Sequence, residues 1–133
     1  MVKPFALPAT ERLKSRKQID GLFARGKSFG QFPLRVIYSL EKEEQGKVQM
    51  GVTASKKHFK KAVDRNRIKR LLREAYRLQK TELKEWAEKE GWAVCVFFIY
   101  TDKEIAPYST VYQAMGRCLQ TVREKLLNHE NPQ

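Results

Sequence analysis

Gly51–Lys80 reads GVTASKKHFKKAVDRNRIKRLLREAYRLQK, and inside it a period of two gives way to a helical one. Val48, Met50, Val52 and Ala54 alternate, so a strand over residues 47–54 runs into the stretch. Beyond Ser55-Lys56-Lys57, the apolar residues Ile68, Leu71, Leu72, Ala75 and Leu78 recur at helical spacing. At about 100° per residue, Asn66, Lys69, Arg70, Arg73, Arg77 and Lys80 fall on the opposite side. One helix therefore buries a stripe and presents a basic ridge. Arg65 and Arg67 flank the stripe near the helix start, where free backbone N–H groups also favour phosphate. Between Lys56 and Lys80 the only acidic residues are Asp64 and Glu74, too few for i,i+4 pairs to neutralise the ridge.

The rest of the chain does not share this bias. The 133 residues carry 27 basic and 15 acidic side chains, a net +12. Residues 56–80 hold 11 basic and 2 acidic, whereas residues 81–133 hold 6 and 8. A local patch of that density suits a polyanion, because each phosphate it neutralises releases condensed counterions. Other chemistries find little to work with. Cys95 and Cys118 sit in apolar surroundings with no second ligand at zinc spacing, and His58 and His129 are isolated. There is no Gly-rich phosphate loop, no H-E-x-x-H and no G-x-S-x-G. No catalytic residue and no protein-borne metal site are expected. No apolar run approaches the roughly 20 residues of a membrane span, and Pro4 and Pro8 break up any signal-peptide core. A cytoplasmic protein with no membrane partner is the expectation.

Taken in order, residues 1–10 read as an extended arm. Leu13, Ile19, Leu22 and Phe23 form a partial helical stripe that ends at Gly26. A short strand follows at Lys27-Ser28-Phe29. Leu34, Val36, Tyr38 and Leu40 then alternate with Arg35, Ile37 and Ser39. The link from Glu41 to Gly46 reads as a hairpin loop, which makes residues 34–40 and 47–54 an antiparallel pair. After the basic helix, which either continues through Trp86 or breaks near Thr81, Ala93–Tyr100 is apolar on both faces, as a fully buried strand is. Tyr108 to Leu126 trace a last amphipathic helix, and the chain is expected to fray from Asn128. The order α-β-β-β-α-β-α predicts a single α+β domain, a small mixed sheet with helices packed on it, with flexible ends at 1–10 and 128–133.

Ala54-Ser55-Lys56-Lys57, followed by Ala62-Val63-Asp64-Arg65-Asn66-Arg67-Ile68-Lys69-Arg70-Leu71-Leu72-Arg73-Glu74, resembles the signature of the bacterial ribonuclease P protein subunit. Arg12-Leu13-Lys14, Leu22-Phe23, Gly26 and Val36-Ile37-Tyr38 match that family's order, so the resemblance covers roughly residues 10–126. It implies a ribosomal-protein-S5-domain-like fold with a left-handed βαβ crossover, opposite to the general handedness rule.

It also implies a function: assisting endonucleolytic removal of the 5′ leader from precursor tRNA, with the chemistry and the Mg²⁺ ions held mainly by a catalytic RNA subunit. The implied partners are that RNA, one protein to each, and precursor tRNA. By the same resemblance Ser55, Lys56, Lys57, Arg65, Asn66, Arg67 and Arg70 contact the catalytic RNA. Arg12, Ile19, Phe23, Val36, Tyr38, Lys69 and Arg73 line a cleft for the single-stranded leader, where aromatic faces stack on unpaired bases. Ile19 departs from the family, which often has an aromatic there. Two rival readings are a ribosomal-protein-like RNA-binding module without an enzymatic partner and a protein-only nuclease.

Overall fold

The computed structural model describes residues 7–130, with side chains through Asn128. The expectation of flexible ends falls largely on residues 1–6 and 131–133, outside that range. Within it, Ala9–Glu11 form a 3-10 turn, and the last helix runs on past Asn128 to Glu130.

Four strands make one mixed sheet: β1 (Lys27–Gln31), β2 (Leu34–Lys42), β3 (Lys47–Ala54) and β4 (Trp92–Tyr100). Their spatial order is β1-β2-β4-β3. β2 pairs antiparallel with β1 and with β4, and β3 pairs parallel with β4. This corrects the expected hairpin. β2 and β3 are not neighbours, because β4 occupies the slot between them. The reason lies in β4's own sequence: WAVCVFFIY is apolar on both faces and belongs in the centre, where both faces are covered. The Glu43–Gly46 link must then cross two strand spacings, about 10 Å, which four residues can span. It passes over the end of the helix that immediately precedes β4. Glu43 N–H donates to Gly91 O (3.0 Å), Gly91 adopts the left-handed region (φ 73°), and a side chain at Gly46 would run into the Ala87 carbonyl.

The sheet has two unequal faces. Leu34, Val36 and Tyr38 of β2, Val48 and Met50 of β3, and Val94, Val96 and Phe98 of β4 form the main core. They pack with α2 (Ala62–Gln79), α3 (Thr81–Glu90) and α4 (Tyr108–Glu130). The opposite face carries a smaller cluster of Leu13, Leu22 and Phe97, with Ile19, Ile37, Cys95 and Ile99 packed against it. It is covered by α1 (Arg16–Arg25), which Ser15 caps by accepting the Gln18 N–H. Leu13 lies outside this helix. Its N–H donates to Met50 O (2.8 Å), so the segment before α1 adds a parallel bridge to the outer edge of β3.

The long basic helix does break. α2 ends at Gln79 and α3 starts at Thr81, with Lys80 shared between them. Lys80 is only 2% exposed and its Nζ lies 2.7 Å from Glu11 Oε1, so it belongs to the interior and not to the basic ridge. Tyr76, fully buried, completes the apolar stripe of α2, while Leu78 at its end is exposed.

Candidate nucleic-acid interface

The turn between β3 and α2 is a tied loop. Ser55 Oγ accepts the Lys57 N–H, and Ser55 O accepts the Phe59 N–H (3.0 Å). The Phe59 ring is buried against Tyr100, with centroids 6.0 Å apart. Arg65, on the first turns of α2, donates Nη1 to Phe59 O (2.8 Å) and Lys60 O (2.9 Å). With its middle pulled inward, the loop turns Lys56, Lys57, His58, Lys60 and Lys61 outward. None of those lysines has an ion-pair partner among the described residues. Helix α2 starts here without a side-chain cap, so its N-terminal dipole adds to the positive field.

From this loop a cationic face runs along α2 through exposed Asn66, Arg67, Arg70 and Arg73, with Lys69 half-buried beside them. It is shorter than the six-residue ridge read from the helical wheel. Lys80 is enclosed. Arg77 makes a two-pronged pair with Glu74, Nε to Oε2 at 3.0 Å and Nη2 to Oε1 at 2.6 Å, which holds the Glu74 carboxyl below its ordinary pKa. Arg65, which helical spacing places beside the apolar stripe, turns its guanidinium back onto the loop.

Beside the α2 face, a narrow groove opens between α1 and β3. Arg12, Ile19, Gly51, Arg73 and Phe97 line it, and Phe23, half exposed, packs edge-on against Phe97 (5.1 Å between centroids) at its side. Gly51 is required there, because a Cβ would strike the Phe97 ring. Burial and then the neighbouring Arg12 guanidinium pull the Arg73 pKa down from the usual arginine value. Arg12 and Arg73 also border a hollow on α2 with Asn66 and Arg70, so the loop-side and groove-side cations form one continuous surface.

Three residues assigned to the cleft by the resemblance are placed elsewhere. Val36 is fully buried in the main core, and Tyr38 is nearly so, on the same face of β2. Side chains alternate along a strand, so the β2 residue that meets α1 is Ile37. Tyr38 instead borders a larger hollow, about 820 Å³, on the other flank of α1, with Lys17, Arg25, Lys27 and Lys125 around it. Lys69 does not line the groove. Among the described residues, no three His, Cys, Asp or Glu side chains gather closely enough to hold a metal ion, and no helix is long and apolar enough to cross a membrane.

Residues 7–123 match the family described as Ribonuclease P. The chain belongs to that family. The ribonuclease P protein component of Porphyromonas gingivalis (strain ATCC 33277) is 42% identical over 117 residues, covering 86% of this chain and 85% of that one. The ribonuclease P protein of Thermotoga maritima has the same fold, with a TM-score of 0.65 at 25% identity, over 84% of this chain and 96% of that one. The Staphylococcus aureus protein, a mutant with defective mRNA degradation activity, superposes with a TM-score of 0.68 at 21% identity, over 86% and 89%. The matched residues include the loop, the α2 face and every residue of the groove.

Sequence reasoning passed over Phe97 and Gly51 as groove residues. The signal was present for Phe97, since a strand apolar on both faces must present alternate residues to the side opposite the main core. It was absent for Gly51, whose role depends on a strand 46 positions further along.

Proposed function

We propose that this protein is the protein subunit of ribonuclease P, acting in the cytoplasm to assist removal of the 5′ leader from precursor tRNA. What carries the reading is one juxtaposition: an unneutralised cationic loop and helix face lies directly beside an apolar, aromatic-edged groove. In this reading Ser55, Lys56, Lys57, Asn66, Arg67 and Arg70 contact the catalytic RNA. They lower the repulsion between two polyanions, and Arg65 holds the loop in shape. Ile19, Phe23 and Phe97 offer apolar surface to unpaired leader bases, and Arg12 and Arg73 follow the backbone. The Mg²⁺ ions of the reaction belong to the RNA partner, one protein joining each RNA.

Reconstitution tests this. Precursor tRNA and a bacterial-type catalytic RNA at low Mg²⁺ are cleaved faster when the protein is added. Absence of stimulation, with RNA binding intact, would leave a plain RNA-binding module. Cleavage by protein alone would point to a protein-borne nuclease site. Phe23→Ala is expected to narrow the preference for precursor over mature tRNA by severalfold, since one lost base–aromatic stack is worth about 1–3 kcal/mol. An unchanged ratio of the two dissociation constants would remove Phe23 from the groove's function.

A further inference from the structure

Arg12 occupies an unusual position, bordering both the groove and the hollow on α2. Its own backbone is extended (φ −108°, ψ 136°), so its side chain points away from those of Glu11 and Leu13. Both neighbours are anchored. Leu13 is buried in the cluster under α1, and its N–H is bonded to Met50 O. Glu11 is 8% exposed, with Oε1 2.7 Å from Lys80 Nζ and Oε2 3.2 Å from Lys84 Nζ. A third tie holds the turn just before, where Gln49 Nε2 donates to Thr10 O at 3.1 Å.

We infer that Glu11 is a positioning residue: its buried pairing with Lys80 and Lys84 fixes the N-terminal segment on the edge of β3 and so delivers Arg12 to the junction of the two RNA-facing surfaces. The inference rests on the RNA-binding reading above for its consequence, but not for the docking itself. A charged anchor does something an apolar one cannot. A slip of one residue along β3 would bring either Thr10 or Arg12 to the two ammonium groups. The first leaves their charge unanswered by the segment, and the second opposes it with a like charge. Leucine at the same place would tolerate the slip, because hydrophobic contact is not directional. The pair thus sets register, the use for which buried ion pairs are best attested. It also links the segment to the junction of α2 and α3, where Lys80 sits.

Two measurements test this on the full chain. In Glu11→Gln the Leu13 amide, monitored by hydrogen exchange, is expected to exchange at least tenfold faster, and trypsin to cut after Arg12 earlier, while far-UV circular dichroism still reports a folded protein. Unchanged Leu13 protection would overturn the anchoring role. In the reconstituted particle, Glu11→Gln is expected to weaken precursor tRNA binding severalfold with Arg12 present and to have no further effect in Arg12→Ala. Full additivity would mean that Glu11 acts through general stability and not through Arg12. Should Glu11→Gln fail to fold, Lys84→Met removes the outer ammonium only, and the same two measurements apply with smaller effects expected. If wild-type protein fails to stimulate cleavage, the exchange experiment still decides whether Glu11 docks the segment.

Discussion

Arg65 shows why counting charges along a helix is not enough. Its Nη1 donates to two carbonyls of the preceding loop, and a lysine ammonium, ending one bond short of that nitrogen, does not reach the same place. Hydrogen bonds from a charged donor are worth about 1.5–3 kcal/mol each when buried, and less here, where one of the two is exposed. Arg65→Lys keeps the charge, yet it is expected to lose most of the roughly tenfold in affinity for the catalytic RNA that Arg65→Ala loses. The salt dependence of binding separates the contributions. If Arg65 acted as a phosphate contact alone, Arg65→Lys would match wild type in both affinity and slope. At the other pole of the molecule, Cys118 is fully enclosed and its thiol is pushed up to about 12 by burial. The unfolded chain loses that proton near pH 8.5–9. The neutral thiol's contribution is therefore intact below that range and is lost as pH rises toward 12. Thermal melts between pH 8 and 11 are expected to fall less steeply in Cys118→Val than in wild type. The buried Tyr76 hydroxyl, also raised by burial, acts in the same direction in both.

Among the elements, β3 and β4 carry the groove between them. Gly51 gives the Phe97 ring its place, and Phe97 in turn supports Phe23. Gly51→Ala is expected to cost about 1–3 kcal/mol in urea unfolding, the usual range for overpacking, and to weaken leader binding together with stability. A stable Gly51→Ala protein with normal leader affinity would show that the ring can move aside without consequence. The strands and helices themselves were largely legible. Alternation over 47–54 and helical spacing from Ile68 onward place β3 and α2 within a few residues. What could not be read was which strand neighbours which. Alternation in Leu34–Leu40 and Lys47–Ala54 says that each has a buried face, but not that Trp92–Tyr100 lies between them. The same limit explains Val36 and Tyr38. A two-residue period assigns them to one face, and only the completed sheet tells which face meets α1.

For the whole molecule, the site was legible where it is local and illegible where it is assembled from distance. The Ser55–Arg73 surface is continuous in sequence, and its cations other than Arg65 are displayed much as the charge count implies. The groove draws on Arg12, Ile19, Gly51, Arg73 and Phe97, and the Glu11–Lys80 contact joins residues 69 positions apart. Helical spacing therefore assigned Lys80 to the exposed ridge, since nothing near it in the chain supplies the carboxylate it is buried with.

The placement of β4 has a consequence for how the protein comes into being. β1–β2 is a local hairpin, but β3 pairs with neither and joins the sheet only through β4, which is complete at Tyr100. During synthesis from the N-terminus the sheet must wait for its middle strand, and most of its pairing is closed in a single late step. A chain ending at Gly91 is expected to show no cooperative thermal transition, although α2 and the loop before it are complete in sequence. A cooperative melt in that fragment would mean that β3 and α2 can fold without their central neighbour. Until β4 emerges, the cations of the RNA-facing surface exist without a scaffold. The surface and the core that shapes it mature together, at the end.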